Sequence, residues 1–177
     1  MENYPLLKNI KILDEQDIGS VIYRLYEGRI FHAIIKKKEK ITIEMTEKGY
    51  DFLNRNGGGR FYNIYEFSSF SEMDPEVREW CATTSGNNYT HVDAIVISNF
   101  AQKLIADFYL KFNKPTMPTK IFKSKEKALE WIREIKCGWL FFMVNWFKRG
   151  VRLIELITID LQIANCVYNS MLHLSGN

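Results

Sequence analysis

The chain has few cysteines and no long apolar run, and these absences exclude several classes of protein. Its three cysteines, Cys81, Cys137 and Cys166, are far apart and form no CxxC pair. Neither a zinc site nor a disulfide framework is indicated, and a reducing cytoplasm is the compartment that fits. The longest apolar run, residues 138–147, is shorter than the roughly 20 residues that span a bilayer. The amino terminus has no secretion-signal pattern.

The charge of the chain is nearly balanced. Lysine and arginine together number 24 against 21 acidic residues, which gives a net charge of +3. So small an excess does not indicate a nucleic-acid partner unless the basic residues cluster. The one basic cluster, residues 36–40, is typical of a solvated turn. With 177 residues, 46% of them hydrophobic, the chain can close one sizeable core.

Strand and helix patterns alternate along the chain. A hairpin is predicted over 21–26 and 29–35, with residues 1–18 leading into its first strand. The pattern then predicts a helix from Ile41 to about residue 55, a strand over 61–67, a helix capped by Asp74, and a strand over 92–98. A third helix has its apolar positions at 100, 104, 105, 108 and 112, and a brief strand over 120–122 and a last helix from Ser124 follow. The order β-β-α-β-α-β-α-β-α predicts an α/β fold with a mainly parallel sheet flanked by helices.

Three consecutive glycines, 57–59, stand beside Arg60 and look at first like a phosphate-binding loop. Phosphate loops lie where a strand runs into a helix, so that the helix amino terminus faces the anion. Here the glycines follow a helix and precede a strand. They are therefore interpreted as a helix stop, in which glycine takes the left-handed conformation.

No catalytic or metal-binding constellation is apparent. His32, His91 and His173 have no nucleophile or acid at a spacing that would make one of them a base. Asp93 and Asp107 do not form a metal-ligand pattern. The sequence predicts no catalytic residue, no metal, no cofactor and no enzyme.

Two segments carry a resemblance to a known group of domains. "DAIVISNFAQKLIADFYLKFNKP" (93–115) and "NKPTMPTKIFKSKEKALEWI" (113–132), together with the order of elements, resemble small bacterial domains described as STAS-like or SpoIIAA-like. Such domains occur as uncharacterised proteins, many from Bacteroidetes. The resemblance covers about residues 20–136 and concerns the fold, which does not fix an activity.

Anti-sigma factor antagonists of that wider group bind a partner protein and are switched by phosphorylation of a serine after the third strand. By position the resemblance implies Ser68, Ser69 and Ser71 as phosphorylation or partner residues. The family's Asp-Ser-Ser/Thr-Gly motif is absent here, and hydroxyls that cap the loop backbone are the alternative. Two further pairs, Arg60 with Tyr62 and Ser98 with Asn99, are the candidate ligand or partner surface.

Residues 137–177 are predicted to be a hydrophobic extension of a domain that spans 1–136. A segment so rich in Trp, Phe, Ile and Leu must pack on the domain, pack against a second copy, or lie on a membrane surface. Packing within the protein or its oligomer is favoured over membrane contact. Residues 154–167 fit a strand or a helix equally well.

The sequence therefore predicts a cytoplasmic, bacterial, STAS-like domain that acts as a non-enzymatic interaction or regulatory module. Its partner would be an unidentified protein, with a homo-oligomer as one form of that partner. The alternative is a binder of a small apolar or lipid-like ligand, in a pocket between the third helix and the sheet.

Overall fold

The computed structural model describes residues 10–83 and 88–147, with side chains up to residue 138. The strands are β1 (Ile12–Asp17), β2 (Val21–Tyr26), β3 (Ile30–Ile35), β4 (Lys40–Ile41), β5 (Phe61–Phe67), β6 (Glu72–Met73), β7 (Thr90–Val96) and β8 (Thr119–Phe122). The helices are α1 (Ile43–Arg55), α2 (Pro75–Ala82), α3 (Phe100–Phe108), which continues into a π-helical turn (Tyr109–Asn113), and α4 (Lys125–Phe147).

Six strands form one mixed sheet in the order β1-β2-β3-β5-β7-β8. Strands β1, β2 and β3 pair antiparallel, whereas β3, β5, β7 and β8 pair parallel. Strands β4 and β6 form a separate two-stranded ladder. The predicted α/β class, with a mainly parallel sheet and flanking helices, is confirmed.

Strand β1 corrects the prediction that residues 1–18 only lead into the first strand. Its sequence, ILDEQD, has no apolar alternation, and Ile12 and Leu13 are exposed. The strand lies at the sheet edge, where backbone pairing with β2 and polar contacts replace burial. Arg24 pairs with Glu15, and Arg55 donates to Asp14 at 3.0 Å. An edge strand of this kind has no hydrophobic period to detect.

One face of the sheet carries an aromatic core. The largest fully buried side chains there include Phe52 and Leu53 of α1 and Phe61 of β5. Thr42 caps helix α1, its hydroxyl accepting from the Met45 backbone amide at 3.4 Å, and the helix presents Phe52 and Leu53 to the sheet. The rings of Phe31 and Phe52 lie 5.9 Å apart, so α1 is fixed to β3 by aromatic packing.

Helix α3 lies with its most apolar positions exposed. Phe100 is 72% exposed, Phe108 53% and Phe112 59%. The residues that α3 and its π-helical turn bury are Gln102, Ala106 and Tyr109. We call the exposed set, Phe100, Leu104, Phe108 and Phe112, the outer face of α3.

The chain divides into two compact units, Met1–Leu129 and Glu130–Asn177, with the boundary inside α4. The last helix was predicted to run through Trp131 and Ile135, and it continues to Phe147. Residues 148–177, with the strand-or-helix question at 154–167, lie outside the described part. Within the described part, no helix is long and apolar enough to cross a membrane, and the cytoplasmic location stays a prediction.

The cysteines differ from one another in bonding. Cys81 is free, whereas Cys137 is disulfide-bonded. Sequence analysis predicts no disulfide framework, and the bond at Cys137 departs from that prediction.

The glycine loop ends α1, as predicted. The φ angles of Gly57, Gly58 and Gly59 are +92°, +54° and +71°, all in the region that favours glycine. The Gly58 amide donates to the carbonyl of Leu53 at 3.0 Å. The Arg29 side chain donates to the carbonyls of Gly58 and Arg60, so a side chain of the domain itself holds the loop.

Replacing Gly59 by alanine should lower the free energy of unfolding by on the order of 1 kcal/mol, because the residue needs a positive φ. An added Cβ would also lie 3.3 Å from Arg29 Nη2. Gly138→Ala is the control: Gly138 lies in α4 with nothing within 4 Å of an added Cβ, and a gain of about 0.5–1 kcal/mol is expected. Denaturant titration measures both variants.

Inorganic phosphate and ATP should leave the melting temperature of the wild-type chain unchanged. A saturable rise that Arg60→Ala abolishes would contradict the helix-stop interpretation, since a ligand that binds the folded state raises stability.

Candidate functional site

The sheet and helices α1, α2 and α3 enclose a cavity of about 120 Å³. Strands β2, β3, β5 and β7 form its floor. Side chains alternate between the faces of a strand, so every second residue of each strand points toward the helices. Phe31, Ala33 and Ile35 of β3 lie on this face, as do Tyr65 and Phe67 of β5.

The helices close the cavity with small and aromatic residues. From α1 come Met45, Gly49 and Tyr50, and from the α3 segment come Ala106 and Tyr109. An added Cβ on Gly49 would lie 3.6 Å from the Tyr23 ring, at van der Waals contact, so the ring packs directly against α1 at this position. The Tyr23 hydroxyl donates to the carbonyl of Met45 at 2.6 Å, which ties β2 to α1 at the cavity wall.

Tyr109, at the start of the π-helical turn, lies in the cavity wall. A π-turn adds a residue to the helical repeat, which rotates the following side chains relative to a continuous α-helix. Tyr109 is buried at the first position of this turn and lines the cavity. Such turns occur frequently at functional sites.

Asp93 is a carboxyl group buried in this apolar wall. It lines the cavity from β7 and is 7% exposed. Its Oδ1 accepts a hydrogen bond from Asn63 Nδ2 at 3.0 Å, and Nδ2 also donates to Thr90 Oγ1 at 3.0 Å. Asn63 Oδ1 is buried without a hydrogen-bond partner among the described residues. Burial raises the pKa of Asp93 to about 6, because the charged form loses its hydration.

A shift in strand register places Asp93 on this face. Phe61 of β5 is opposite Thr90, but Tyr62 is opposite Val92, so β7 carries one extra residue at His91. From there on Asn63 is opposite Asp93. A slip of one residue moves a side chain to the other face of a sheet, and this bulge therefore directs both Thr90 and Asp93 toward the helices.

The Cys81 thiol and three tyrosines in the wall are neutral. Burial raises the pKa of the Cys81 thiol to about 12, so the thiol is not ionised and is a poor nucleophile. Burial also raises the pKa values of Tyr50, Tyr65 and Tyr109, and the nearby Asp93 carboxylate adds to each shift.

A protein-family model described as "Domain of unknown function (DUF7793)" matches residues 23–136. The chain belongs to this family. The match agrees closely with the range over which the sequence resemblance was seen, about 20–136.

A solved structure is also similar to this chain. It is an uncharacterised protein of the DUF3478 family with a SpoIIAA-like fold, from Shewanella loihica PV-4. The two share 15% sequence identity over 70% of this chain and 93% of that one, with a TM-score of 0.41. No curated protein matches the chain.

In the DUF7793 domain, Gln102 joins two of the loops that sequence analysis singled out. Its Nε2 donates to the carbonyls of Ser68 and Ser71 at 2.8 and 2.9 Å. Its Oε1 accepts from the backbone amide and the hydroxyl of Ser98 at 2.9 and 3.0 Å. The backbone amide of Gln102 donates to Asn99 Oδ1 at 2.9 Å. Ser68, Ser71, Ser98 and Asn99 therefore meet at the carboxyl ends of β5 and β7, where ligands of α/β proteins commonly bind.

The three serines differ in exposure. Ser71 is buried and its hydroxyl donates to the Ser68 carbonyl at 2.7 Å, whereas Ser69 is exposed. The Ser71 hydroxyl therefore caps the backbone of this loop. A phosphorylation switch at this loop stays a prediction.

Arg60 and Tyr62 lie at the opposite end of β5 from the serines. Arg60 is exposed, and its carbonyl accepts from Arg29 Nε at 3.0 Å. The Tyr62 ring packs on His91 at 5.0 Å between centroids. The structure does not bring these two residues together with Ser98 and Asn99.

His32 lies on the sheet face opposite the cavity. Its Nε2 is 2.9 Å from Glu66 Oε2, and its Nδ1 is 3.3 Å from the Tyr26 hydroxyl. Burial lowers the pKa of His32, so the neutral ring donates to the Glu66 carboxylate. These contacts satisfy the hydrogen-bonding groups of a buried histidine, and a structural role is enough to explain them.

Sequence reasoning considered Asp93 only as a metal ligand and missed its place in a cavity. The available signal was an aspartate inside the apolar run VDAIVI, where a strand covered on both faces should be uniformly apolar. Among the residues that the structure describes, no group of three His, Cys, Asp or Glu side chains could hold a metal ion.

Asp93→Asn should raise the stability of the domain above pH 6. Between about pH 4 and pH 6 the folded state keeps a proton that the unfolded state has lost, so wild-type stability falls as the pH rises through this range. Asp93→Asn has no carboxyl group to ionise, so its stability does not fall in this way. The raised pKa corresponds to a free energy of unfolding that is roughly 2–3 kcal/mol higher in the variant at pH 7.5. Urea unfolding at pH 4, 5.5 and 7.5 measures it.

Asp51→Asn, at an exposed position of α1, is the control and should change stability by less than about 0.5 kcal/mol. An Asp93→Asn variant that is less stable than wild type at pH 7.5, with the wild-type pH dependence, would contradict the burial of an ionisable carboxyl.

Proposed function

We propose that this DUF7793 domain binds a small, mainly apolar ligand in the cavity between the sheet and helices α1, α2 and α3. The observation that carries the proposal is a cavity of about 120 Å³ with a mainly apolar lining, partly open to solvent. An apolar cavity of about 150 Å³ in another protein binds benzene. A ligand core of six to eight non-hydrogen atoms is therefore on the right scale.

The composition of the wall supports binding. Ligand sites are mostly apolar, with a few polar groups that fix orientation, and titratable groups with shifted pKa values concentrate in them. Asp93 is such a group within a wall that is mainly aromatic and aliphatic. Well-packed cores have few voids larger than a water molecule, so a cavity of this size is itself informative.

The proposed function is non-enzymatic. The protonated Cys81 thiol is not poised for attack, and the His32 ring lies on the other face of the sheet with its nitrogens at Tyr26 and Glu66. These contacts give no reason to propose a nucleophile and base acting together.

A cavity-filling substitution tests the proposal. Ala106 of α3 lines the cavity, whereas Ala101 on the same helix is exposed. In the full chain, Ala106→Leu should abolish the rise in melting temperature produced by toluene, benzyl alcohol or benzylamine, and Ala101→Leu should keep it. Native mass spectrometry of the purified wild-type chain complements this with a search for a retained ligand.

The proposal is wrong if none of the three probes stabilises the wild-type chain. It is also wrong if Ala106→Leu, correctly folded by circular dichroism, responds to them as the wild type does.

A second function, self-association as an interaction module, is proposed from the outer face of α3. Four large apolar side chains on this face, each more than half exposed, offer roughly 500 Å², as large as the largest apolar patch on a typical monomer. Two copies would bury roughly 1,000 Å², about the lower limit for a specific interface. A second copy is the proposed occupant, because an apolar face of this kind complements itself under twofold symmetry.

Other partners have less support. A net charge of +3 gives no reason to propose nucleic acid. Contact of the apolar extension with a membrane surface is the lesser alternative to self-association.

Replacing Leu104 and Phe108 together by glutamine should shift the full chain from dimer to monomer. Light scattering after size exclusion gives the mass, and Glu47→Gln on exposed α1 is the control that should leave it unchanged. A wild-type chain that is monomeric at 100 µM, or a variant that associates as strongly as wild type, would contradict self-association through this face.

A further inference from the structure

The carboxyl group of Asp93 faces the cavity without a cation. Its hydrogen bond from Asn63 at 3.0 Å engages Oδ1, and none of the ion pairs among the described residues involves Asp93. Arg78 also lines the cavity, but its guanidinium donates to the carbonyl of Met73. A buried carboxylate that lacks a positive partner is costly, and a folded protein retains one where it serves a purpose.

The wall around Asp93 is suited to a cation. Four tyrosines and two phenylalanines line the cavity: Tyr23, Tyr50, Tyr65, Tyr109, Phe31 and Phe67. Aromatic rings attract ammonium groups through their negative faces, and clusters of such rings recognise alkylated ammonium ligands. The rings also provide the apolar surface that the rest of a small ligand would contact.

The same wall disfavours two other ligand classes. A carboxylate ligand, such as a fatty acid, would place a second negative charge beside Asp93. A hydrocarbon would leave Asp93 desolvated with only the Asn63 hydrogen bond. An ammonium group instead supplies both a positive charge and hydrogen-bond donors.

We propose that the cavity selects a small aromatic or aliphatic amine, whose ammonium group pairs with the Asp93 carboxylate while its apolar body lies among the tyrosines. This inference rests on the proposed ligand-binding function and adds the chemical class of the ligand.

A panel of matched probes tests the class. Benzylamine, benzyl alcohol and toluene share a ring and differ in the group attached to it. At pH 7.5 the full-length wild type should bind benzylamine at least tenfold more tightly than toluene or benzyl alcohol, because a buried charge-assisted hydrogen bond is worth about that much. Ligand-observed NMR measures the affinities, and Ala106→Leu controls for binding outside the cavity.

Two carboxyl variants assign the preference to one residue. Asp93→Asn should reduce the ratio of benzylamine to toluene affinity to about one while toluene still binds. Glu72→Gln should keep the ratio, although Glu72 also lines the cavity, because that residue is solvent exposed.

The preference should also weaken at pH 5, where Asp93 is protonated and benzylamine keeps its charge. The groups that face Asp93 from the surrounding elements are Tyr50 on α1, Cys81 on α2, Tyr65 on β5 and Tyr109 on the π-helical turn. Burial raises the pKa of each, so they stay neutral from pH 5 to pH 7.5.

The outcomes separate this inference from the function on which it rests. If none of the probes binds, the ligand-binding function itself fails. If toluene and benzyl alcohol bind as tightly as benzylamine, or if Asp93→Asn keeps the preference for the amine, the cavity binds apolar ligands and the proposed amine class is wrong.

Discussion

In the parallel pair β5–β7 the register shifts by one residue after Phe61, and the contents of the cavity depend on this shift. Without it, Asn63 would be opposite Val92 and an aliphatic side chain would face the helices. With it, Asn63 is opposite Asp93, and the amide of Asn63 holds both Thr90 and Asp93 at 3.0 Å. A bulge in a sheet is a conventional means of redirecting a side chain toward a site.

Side chains from the helices form the rest of the cavity wall. Tyr23 ties β2 to the backbone of α1, and Tyr109, at the start of the π-helical turn, lines the cavity on the same side of α3 as Ala106. Gln102 joins the loops after β5 and β7, so α3 is held by polar contacts as well as by Ala106. Because α3 uses Gln102, Ala106 and Tyr109 inward, its phenylalanines face outward. The cavity and the outer face of α3 are thus two consequences of one helix orientation.

Much of the fold could be predicted from the sequence because its elements have strong local signals. Strand β5 was predicted at its observed bounds, and Pro75 and Asn99 mark the starts of α2 and α3. Strand β1 could not be predicted, because an edge strand held by backbone pairing and ion pairs has no apolar period. The orientation of α3 could not be predicted either. Its apolar positions show that the helix is amphipathic, but they do not show which face packs against the sheet.

The candidate site was harder to predict than the fold. A ligand pocket between the third helix and the sheet was predicted as the alternative function. Asp93, however, was considered only as a metal ligand, and that role was rejected. The side to which Asp93 points depends on a one-residue bulge near His91, which no sequence pattern marks. Burial also sets its pKa, and burial is a property of the assembled sheet and helices rather than of any local motif.

The most direct measurement is the titration of the Asp93 side-chain carboxyl carbon by NMR, assigned by its disappearance in Asp93→Asn. A cavity that buries this carboxyl without a cation predicts a pKa of about 6 in the ligand-free protein, and a lower pKa when benzylamine is bound. A pKa near the ordinary aspartate value of about 4, unchanged by benzylamine, would contradict the account.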